Sequence, residues 1–446
     1  MSSLLCLGRH TLTGLLTTCG SQFHDWSAAY RLFSEKRLPL PEIFATVRQA
    51  VAAQLGPDTA FRAVLDDTLL RRAGSRTPGV AWRRDPLGPR FQTNLVRAQR
   101  FLQISAALPG TADDQRLIPI AFLHAPTPRK PSAQASDAER QQYRLDQREA
   151  RLSARASQQI LQLRQNLDGD PGGGSRLLLL AFDGGYTNAT VLKHLPERTT
   201  AIGRIRKDAK LCFRPDPALL PTRGRRLCYG PVAPTPEQVR QDPSQAWQTM
   251  TFRHSGVNHE LRFKRIPNLM WRTAGAKMFL QLVVIAPLGY RHRKGSRLLF
   301  RDPAYLICTD PDLDPRQIIA TYFERWDIEV NFREEKTLLG VGQAQVRVEA
   351  SVESAPALVV ASYALLLVAA RQAFGTSAEG LLPPPKWIRP SPHARPSTQR
   401  LLHQLRAEVW SRGLESFSGF ATNPPLHTKP EKSSFPLDSA VLYANG

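Results

Sequence analysis

TYFERWDIEVNFREEKTLLG, residues Thr321 to Gly340, is the stretch whose reading decides the rest of the chain. Written as a helix, it places Tyr322, Arg325, Glu329 and Lys336 within roughly 60° of one another, because steps of about 100° bring offsets of three, seven and fourteen nearly into line. A phenol, a guanidinium, a carboxylate and an ammonium on one stripe are not how a core face is written. Ile318, Ile328 and Phe332 lie elsewhere on the wheel and can do the burying. Asp314-Pro315 just upstream reads as an N-cap followed by proline at the first helical position, so the helix carries its own start signal. The plain alternative is a solvated face on which Arg325 and Glu329 form an ordinary i,i+4 pair.

The spacing Y-x2-R-x3-E-x6-K, with Trp326 after the arginine and Ile328 before the glutamate, resembles the signature of bacterial insertion-sequence transposases of the DDE type. More narrowly, it is similar to the cut-and-paste Y-R-E-K group, the IS-four family and its relatives. All four positions match. The resemblance implies a ribonuclease-H-like α/β fold, with Glu329 as the third catalytic carboxylate and two further carboxylates on upstream strands. It implies that Tyr322, Arg325 and Lys336 grip phosphates near the transposon end.

Upstream, RLLLLAFDGGYTN (Arg176 to Asn188) contains a continuous apolar run that reads as a strand buried on both faces. It delivers Asp183 to a double-glycine turn, where α/β folds keep ligands. Thr187 or Asn188 can cap the helix that follows. D-G-G-Y also resembles the second-aspartate region of the same transposases. The alternative is an aspartate that only shapes the turn.

AFRAVLDDT (Ala60 to Thr68) reads as a short strand ending in two carboxylates, whose mutual repulsion calls for a cation or a cap. Side chains alternate along a strand, so only one of Asp66 and Asp67 can face a site. The resemblance favours Asp66, because the family's first aspartate tends to precede a short polar pair ending in Thr or Ser. RAQRFLQISAALP and DQRLIPIAFLHAPT read as two further strands. A single long charged helix is expected from about Asp137 to Leu167, stopped by the glycine-rich DGDPGGGS.

AIGRIRKDAKLCF brings Arg204, Arg206, Lys207 and Lys210 into or beside a strand, followed by PTRGRR. The run is either a phosphate-contacting ribbon or a solvated basic face. The separation of Asp183 from Glu329 predicts a β-rich insertion, and Trp271 falls inside it. The resembled family has such an insertion, and there an insertion tryptophan can support a flipped base. AYLICTD (Ala304 to Asp310) is expected to be the last core strand.

The organisation expected is therefore a helical region over 1–55, a first part of the catalytic core over 56–200, a β-rich insertion over 201–300, the last core strand and catalytic helix over 301–345, and a C-terminal helical region with a mobile tail over 346–446. The N-terminal helices could form a DNA-binding bundle of helix-turn-helix kind or a cap on the catalytic domain.

Sixty Lys and Arg against 38 Asp and Glu give a net charge of +22. That excess favours a polyanionic partner, most plausibly nucleic acid. Five scattered cysteines form no zinc pattern and read as reduced thiols of a cytosolic protein, bacterial and nucleoid-associated on the resemblance. Arg9 and His10 interrupt what would be the apolar part of a signal peptide. The run Ala355 to Ala370, broken by Pro356, Ser362 and Tyr363, is too short to span a bilayer and reads as a buried helix.

The resemblance further implies that Asp66, Asp183 and Glu329 hold two Mg²⁺ ions, with Mn²⁺ as a substitute, and that the partner is double-stranded DNA at transposon ends and target, bound by a dimer in a synaptic complex. Two rivals are a nuclease of the same fold that cuts without joining, and a catalytically silent DNA-binding remnant.

Overall fold

At the centre of the sheet lies the apolar run of Leu178–Phe182, every residue of it buried. In the computed structural model of the chain, residues 1–74, 76–85, 88–89, 91–108, 115–216, 228–254, 257–276, 278–293, 295–376, 380–388, 395–415 and 436–443 are described. Four helices come first, α1 (Ser2–Leu5), α2 (Leu12–Thr18), α3 (Ser27–Ser34) and α4 (Leu40–Ala52). Then come β1 (Phe61–Arg71), β2 (Ala81–Arg84), β3 (Leu95–Leu108), β4 (Arg116–His124), α5 (Asp137–Glu149) and α6 (Leu152–Gly169). The central run is β5, followed by α7 (Ala189–Leu192), β6 (Thr199–Arg204), β7 (Cys212–Phe213), α8 (Pro236–Gln241), β8 (Gln248–His254), β9 (Val257–Met270) and β10 (Leu280–Ile285). A small hairpin, β11 (Gly289–Tyr290) and β12 (Leu299–Phe300), precedes β13 (Ala304–Cys308). Helices α9 (Pro315–Glu324), α10 (Trp326–Thr337), α11 (Glu349–Phe374), α12 (Thr398–Glu415) and α13 (Leu437–Leu442) complete the chain.

The large sheet runs β2-β3-β1-β5-β6-β13-β10-β9-β7, with β4 also paired to β3 and β8 to β9. β1, β5 and β6 are parallel, while β3 is antiparallel to β1 and β13 to β6. Parallel strands need both faces covered. One hydrophobic core joins Leu65, Leu180 and Phe182 to Val47 and Val51 of α4, Ile160 and Leu163 of α6, and Val360 and Tyr363 of α11. A second packs Ile318 and Ile319 of α9 against Ile202, Val283 and Leu306. A third packs Ile328 and Phe332 of α10 against Val64, Ala107, Leu117 and Ala181. Burying side chains such as Ile328 contributes roughly 1.5–3 kcal/mol each.

Several elements differ from the sequence expectation. β1 does not end at the aspartates: it continues to Arg71, because Leu70 is buried as well and β3 pairs with it from Ala63 to Arg71. The long helix expected over 137–167 is two, broken at Arg151, whose ψ of 135° is extended. α5, capped by a Ser136/Glu139 box, buries none of its residues, and the break lets α6 turn its own apolar stripe onto the core.

The stretch expected as a β-rich insertion over 201–300 carries β7 to β12. β9 and β10 lengthen the same sheet beyond β13, and β6 straddles the boundary expected at residue 200. Trp271 is half-buried and packed against the main core. α11 runs straight through Pro356, which forgoes one helical hydrogen bond. By length and apolarity this helix could cross a membrane, but most of its side chains are buried within the fold. Of the first four helices, α1, α3 and α4 pack against α11, and α4 also against β4.

The chain end is not wholly tail. α13 docks on α2, where Ser439 Oγ donates to the Thr17 carbonyl at 2.7 Å. PTRGRR, part of the proline-rich run after Leu382 and most of the last thirty residues lie outside the described residues.

Candidate active site

The pairing register of β1 with β5 sets the first geometric fact. Leu65 lies opposite Phe182, so Asp66 and Asp183 follow side by side on neighbouring parallel strands. Adjacent strands are about 4.8 Å apart, and opposite residues face the same way. Asp67 therefore faces away. It accepts a hydrogen bond from the Tyr186 hydroxyl at 2.7 Å and pairs with Arg100 at 3.2 Å. Asp183 leaves β5 into the Gly184-Gly185 turn, which closes where the Tyr186 N–H donates to the Asp183 carbonyl at 3.0 Å. Asn188, rather than Thr187, caps α7 by accepting from the N–H groups of Thr190 and Val191.

The helix predicted over 321–340 is α9 and α10, joined at Arg325. Asp314 caps α9 as expected, with Pro315 at its first position. At the junction the Arg325 N–H reaches the Tyr322 carbonyl and the Ile328 N–H reaches the Arg325 carbonyl, each at 3.2 Å, a tighter three-residue turn. α9 lies over β5 and β6, while α10 lies over β1 and β4.

The joint aims Arg325 into the carboxylates. Nη1 donates to Asp66 Oδ2 at 3.1 Å and Nη2 pairs with Glu329 Oε1 at 3.6 Å. The Tyr322 ring stands 5.7 Å from the guanidinium. Asp66, Asp183, Glu329, Tyr322 and Arg325 thus act on one another electrostatically. Lys336 is set apart: Nζ donates to Thr68 Oγ1 at 2.6 Å, two residues along β1 from Asp66.

Burial pushes the Asp66 carboxyl up to about 7. The Asp67 N–H and Arg325 work against that shift, while Asp67 and Asp183 add to it. Glu329, with 42% of its side chain exposed, is also raised, by burial first and then by Asp183. Burial would lower Arg325, but Tyr322, Asp66, Asp183 and Glu329 together outweigh it and raise the guanidinium. Tyr322 is raised by burial and Asp183 against the pull of Arg325 and Arg204. Burial lowers Lys336.

Of the basic run, Arg204 ends β6 close enough to act on Tyr322. Arg206 is engaged by Asp208 at 3.0 Å on the open surface, and Lys207 and Lys210 are exposed. The run is thus divided between the site's rim and a solvated face.

Three carboxylates supply only oxygen donors, the chemistry a hard divalent cation takes. Among the described residues no three such side chains converge closely enough to hold an ion, because Arg325 spans the space between Asp66 and Glu329. The donor set fits the metal in kind, and Arg325 must withdraw from it for the metal to be held.

Sequence reasoning missed the floor of the site. Glu335 of α10 is fully buried, accepts from Gln103 Nε2 at 3.0 Å, and is pushed up to about 8 by burial. Asn331 beside it donates to Ser105 Oγ and the Leu117 carbonyl, each at 3.2 Å. The signal was present, since Asn331 and Glu335 share the i,i+4 stripe of Ile328, but a polar pair at core positions reads from sequence as solvated.

The folded pKa of Glu335 lies above the unfolded value near 4.5, so folding takes up a proton between those limits. Stability is greatest below about 4.5, falls as pH rises and levels off above 8. Glu335→Gln keeps the shape and removes the cost, so the variant is expected to be more stable at pH 8, by about 4 kcal/mol, and nearly equal at pH 4.5. Urea denaturation across that range measures it. An undiminished pH slope in the variant contradicts the buried neutral acid.

The family model described as DDE superfamily endonuclease matches residues 2–259, more than half the chain. The matched region contains Asp66 and Asp183 and ends before α9 and α10. No curated protein matches the chain.

Proposed function

The chain belongs to the DDE superfamily endonucleases, and on that premise we propose that it is a DNA transposase of the Y-R-E-K group, the IS-four family and its relatives. It would cut DNA at transposon ends in a Mg²⁺-dependent reaction and transfer the freed strand to a target, as a dimer pairing two ends at the nucleoid. The family makes it an enzyme of the nuclease and transposase class that acts on DNA.

The observation that carries the finer reading is Arg325, which reaches from the α9–α10 joint to both Asp66 and Glu329. The strand order β4-β3-β1-β5-β6, with β1, β5 and β6 parallel, supports a ribonuclease-H-like core. In this reading Asp66, Asp183 and Glu329 would hold the metal. When bound, the metal supplies Lewis-acid activation of the attacking hydroxyl and neutralises charge on the leaving oxygen. Arg325, swung from the carboxylates to a phosphate, trades one anionic partner for another and positions the scissile group by charge-assisted hydrogen bonds. Tyr322 and Arg204 stand on the same rim to orient it, and Lys336 reaches the neighbouring phosphate from Thr68. The burial that raises Asp66 means that the apo site resists full ionisation, a resistance a cation relieves.

The test is cleavage of a labelled duplex bearing the element's own terminal repeat with Mg²⁺, comparing the parent with Glu329→Gln. The variant is expected to lose about 10²–10⁴-fold in rate while still shifting the duplex. Nicking followed by joining separates transposase from a nuclease that only cuts. Undiminished cleavage by Glu329→Gln refutes the assignment, and a parent that binds without cutting supports the silent remnant.

A further inference from the structure

Past the aspartates, the sheet grows a wing that the proposed chemistry does not use. β1 continues to Arg71, the N-terminal half of β3 pairs with it, and β2 forms the outer edge. Ala81 lies opposite Ala98, which lies opposite Arg71, and Trp82 lies opposite Arg97. Stepping by twos along β3 from Gln103, the partner of Asp66, leads to Arg97, so Trp82 and Arg97 stand on the face that carries Asp66.

Six arginines lie in this wing: Arg72, Arg84 and Arg97 follow that same alternation, while Arg71, Arg83 and Arg100 stand on the opposite face with Asp67. The carboxylates among them are committed, Asp67 to Arg100 and buried Asp85 to Arg71. Trp82 is 66% exposed, with the Arg97 guanidinium 5.5 Å from its ring. Phe91, in the β2–β3 connection, is 99% exposed. A bare aromatic edge strand invites aggregation unless something covers it. A surface this rich in arginine selects a polyanion over another protein face. Arginine with protruding aromatics suits duplex DNA, the guanidinium groups meeting phosphates and the rings lying against base edges or wedged in a groove.

We propose that the β1–β3–β2 wing is a second DNA-binding surface that grips the duplex to one side of the scissile phosphate. The proposal rests on DNA being the substrate. The span from Asp66 to the level of Trp82 is about six residues, or about 20 Å of strand. At about 3.4 Å per step this places the grip about six base pairs from the cut.

The experiment measures equilibrium binding of labelled terminal-repeat duplexes by the full chain without divalent metal. Flanks are cut back separately on each side of the cleavage point, from twelve base pairs to three. Trp82→Ala and Phe91→Ala are each expected to weaken binding of the long duplex about tenfold. Arg97→Gln is expected to reduce the salt slope by about one. Trimming one flank to three base pairs should weaken the parent by a similar factor and leave the variants unchanged. Phe91 is fully exposed, so its truncation keeps the test clear of misfolding. Variants that bind the long duplex like the parent, or a parent indifferent to trimming on both sides, overturn the wing while leaving cleavage and the proposed function standing. A parent that binds no terminal-repeat duplex removes both.

Discussion

Asp66→Asn is expected to reduce metal-dependent cleavage by at least about 10³-fold, and Asp67→Asn by only about tenfold, with DNA binding retained in both. The two residues are adjacent and chemically identical, so the difference must come from where they point. Asp66 faces Arg325 and lies level with Asp183, while Asp67 holds Tyr186 and Arg100. On the proposed function, losing the Asp66 carboxylate would remove a metal donor that the other two cannot replace. Losing the Asp67 charge weakens one tie between β1 and the turn that carries Asp183, and the amide can still accept the Tyr186 hydrogen bond. Single-turnover cleavage rates at saturating protein separate the two. If Asp67→Asn is the more damaging variant, the facing is reversed and the site must be rebuilt around Asp67.

The largest effect on stability is expected from Arg48→Ala or Asp170→Ala. Arg48 of α4 donates from Nε to Asp170 Oδ2 at 2.7 Å and from Nη2 to Oδ1 at 3.0 Å, and Gln49 donates to the same Oδ1 at 2.9 Å. Both charged side chains are buried, and the pair ties the N-terminal helices to the turn after α6. Removing one partner strands the other charge out of water, at a cost of about 3–5 kcal/mol. Replacing both with apolar residues of similar volume should cost much less than the sum of the single changes.

Burial would raise Asp170, but Arg48 and Gln49 outweigh it and hold the carboxyl below its ordinary value. Its contribution is therefore present above the usual carboxylate range and is lost as pH falls through the depressed folded value. Thermal unfolding at pH 7 and again in acid measures both statements. Single variants as stable as the parent would show that the pair contributes nothing.

Local grammar carries far in this chain. The apolar run before Asp183 reads as a buried strand, and β5 is one; Asp314-Pro315 reads as a helix start, and α9 begins there. Ile318, Ile328 and Phe332 are buried as the helical period requires. The stripe Tyr322, Arg325, Glu329 is legible because helical neighbours are close in sequence and their geometry needs no partner. The tertiary structure decided everything that depends on a distant surface. Period-two alternation says that one of Asp66 and Asp67 faces the site, but only the register of β1 against β5, more than a hundred residues away, selects which. The helix is interrupted at Arg325, which no local signal encodes. The wing beyond Asp66 exists because β2 finds the edge of β3, a pairing whose four short residues carry no strand pattern strong enough to announce it.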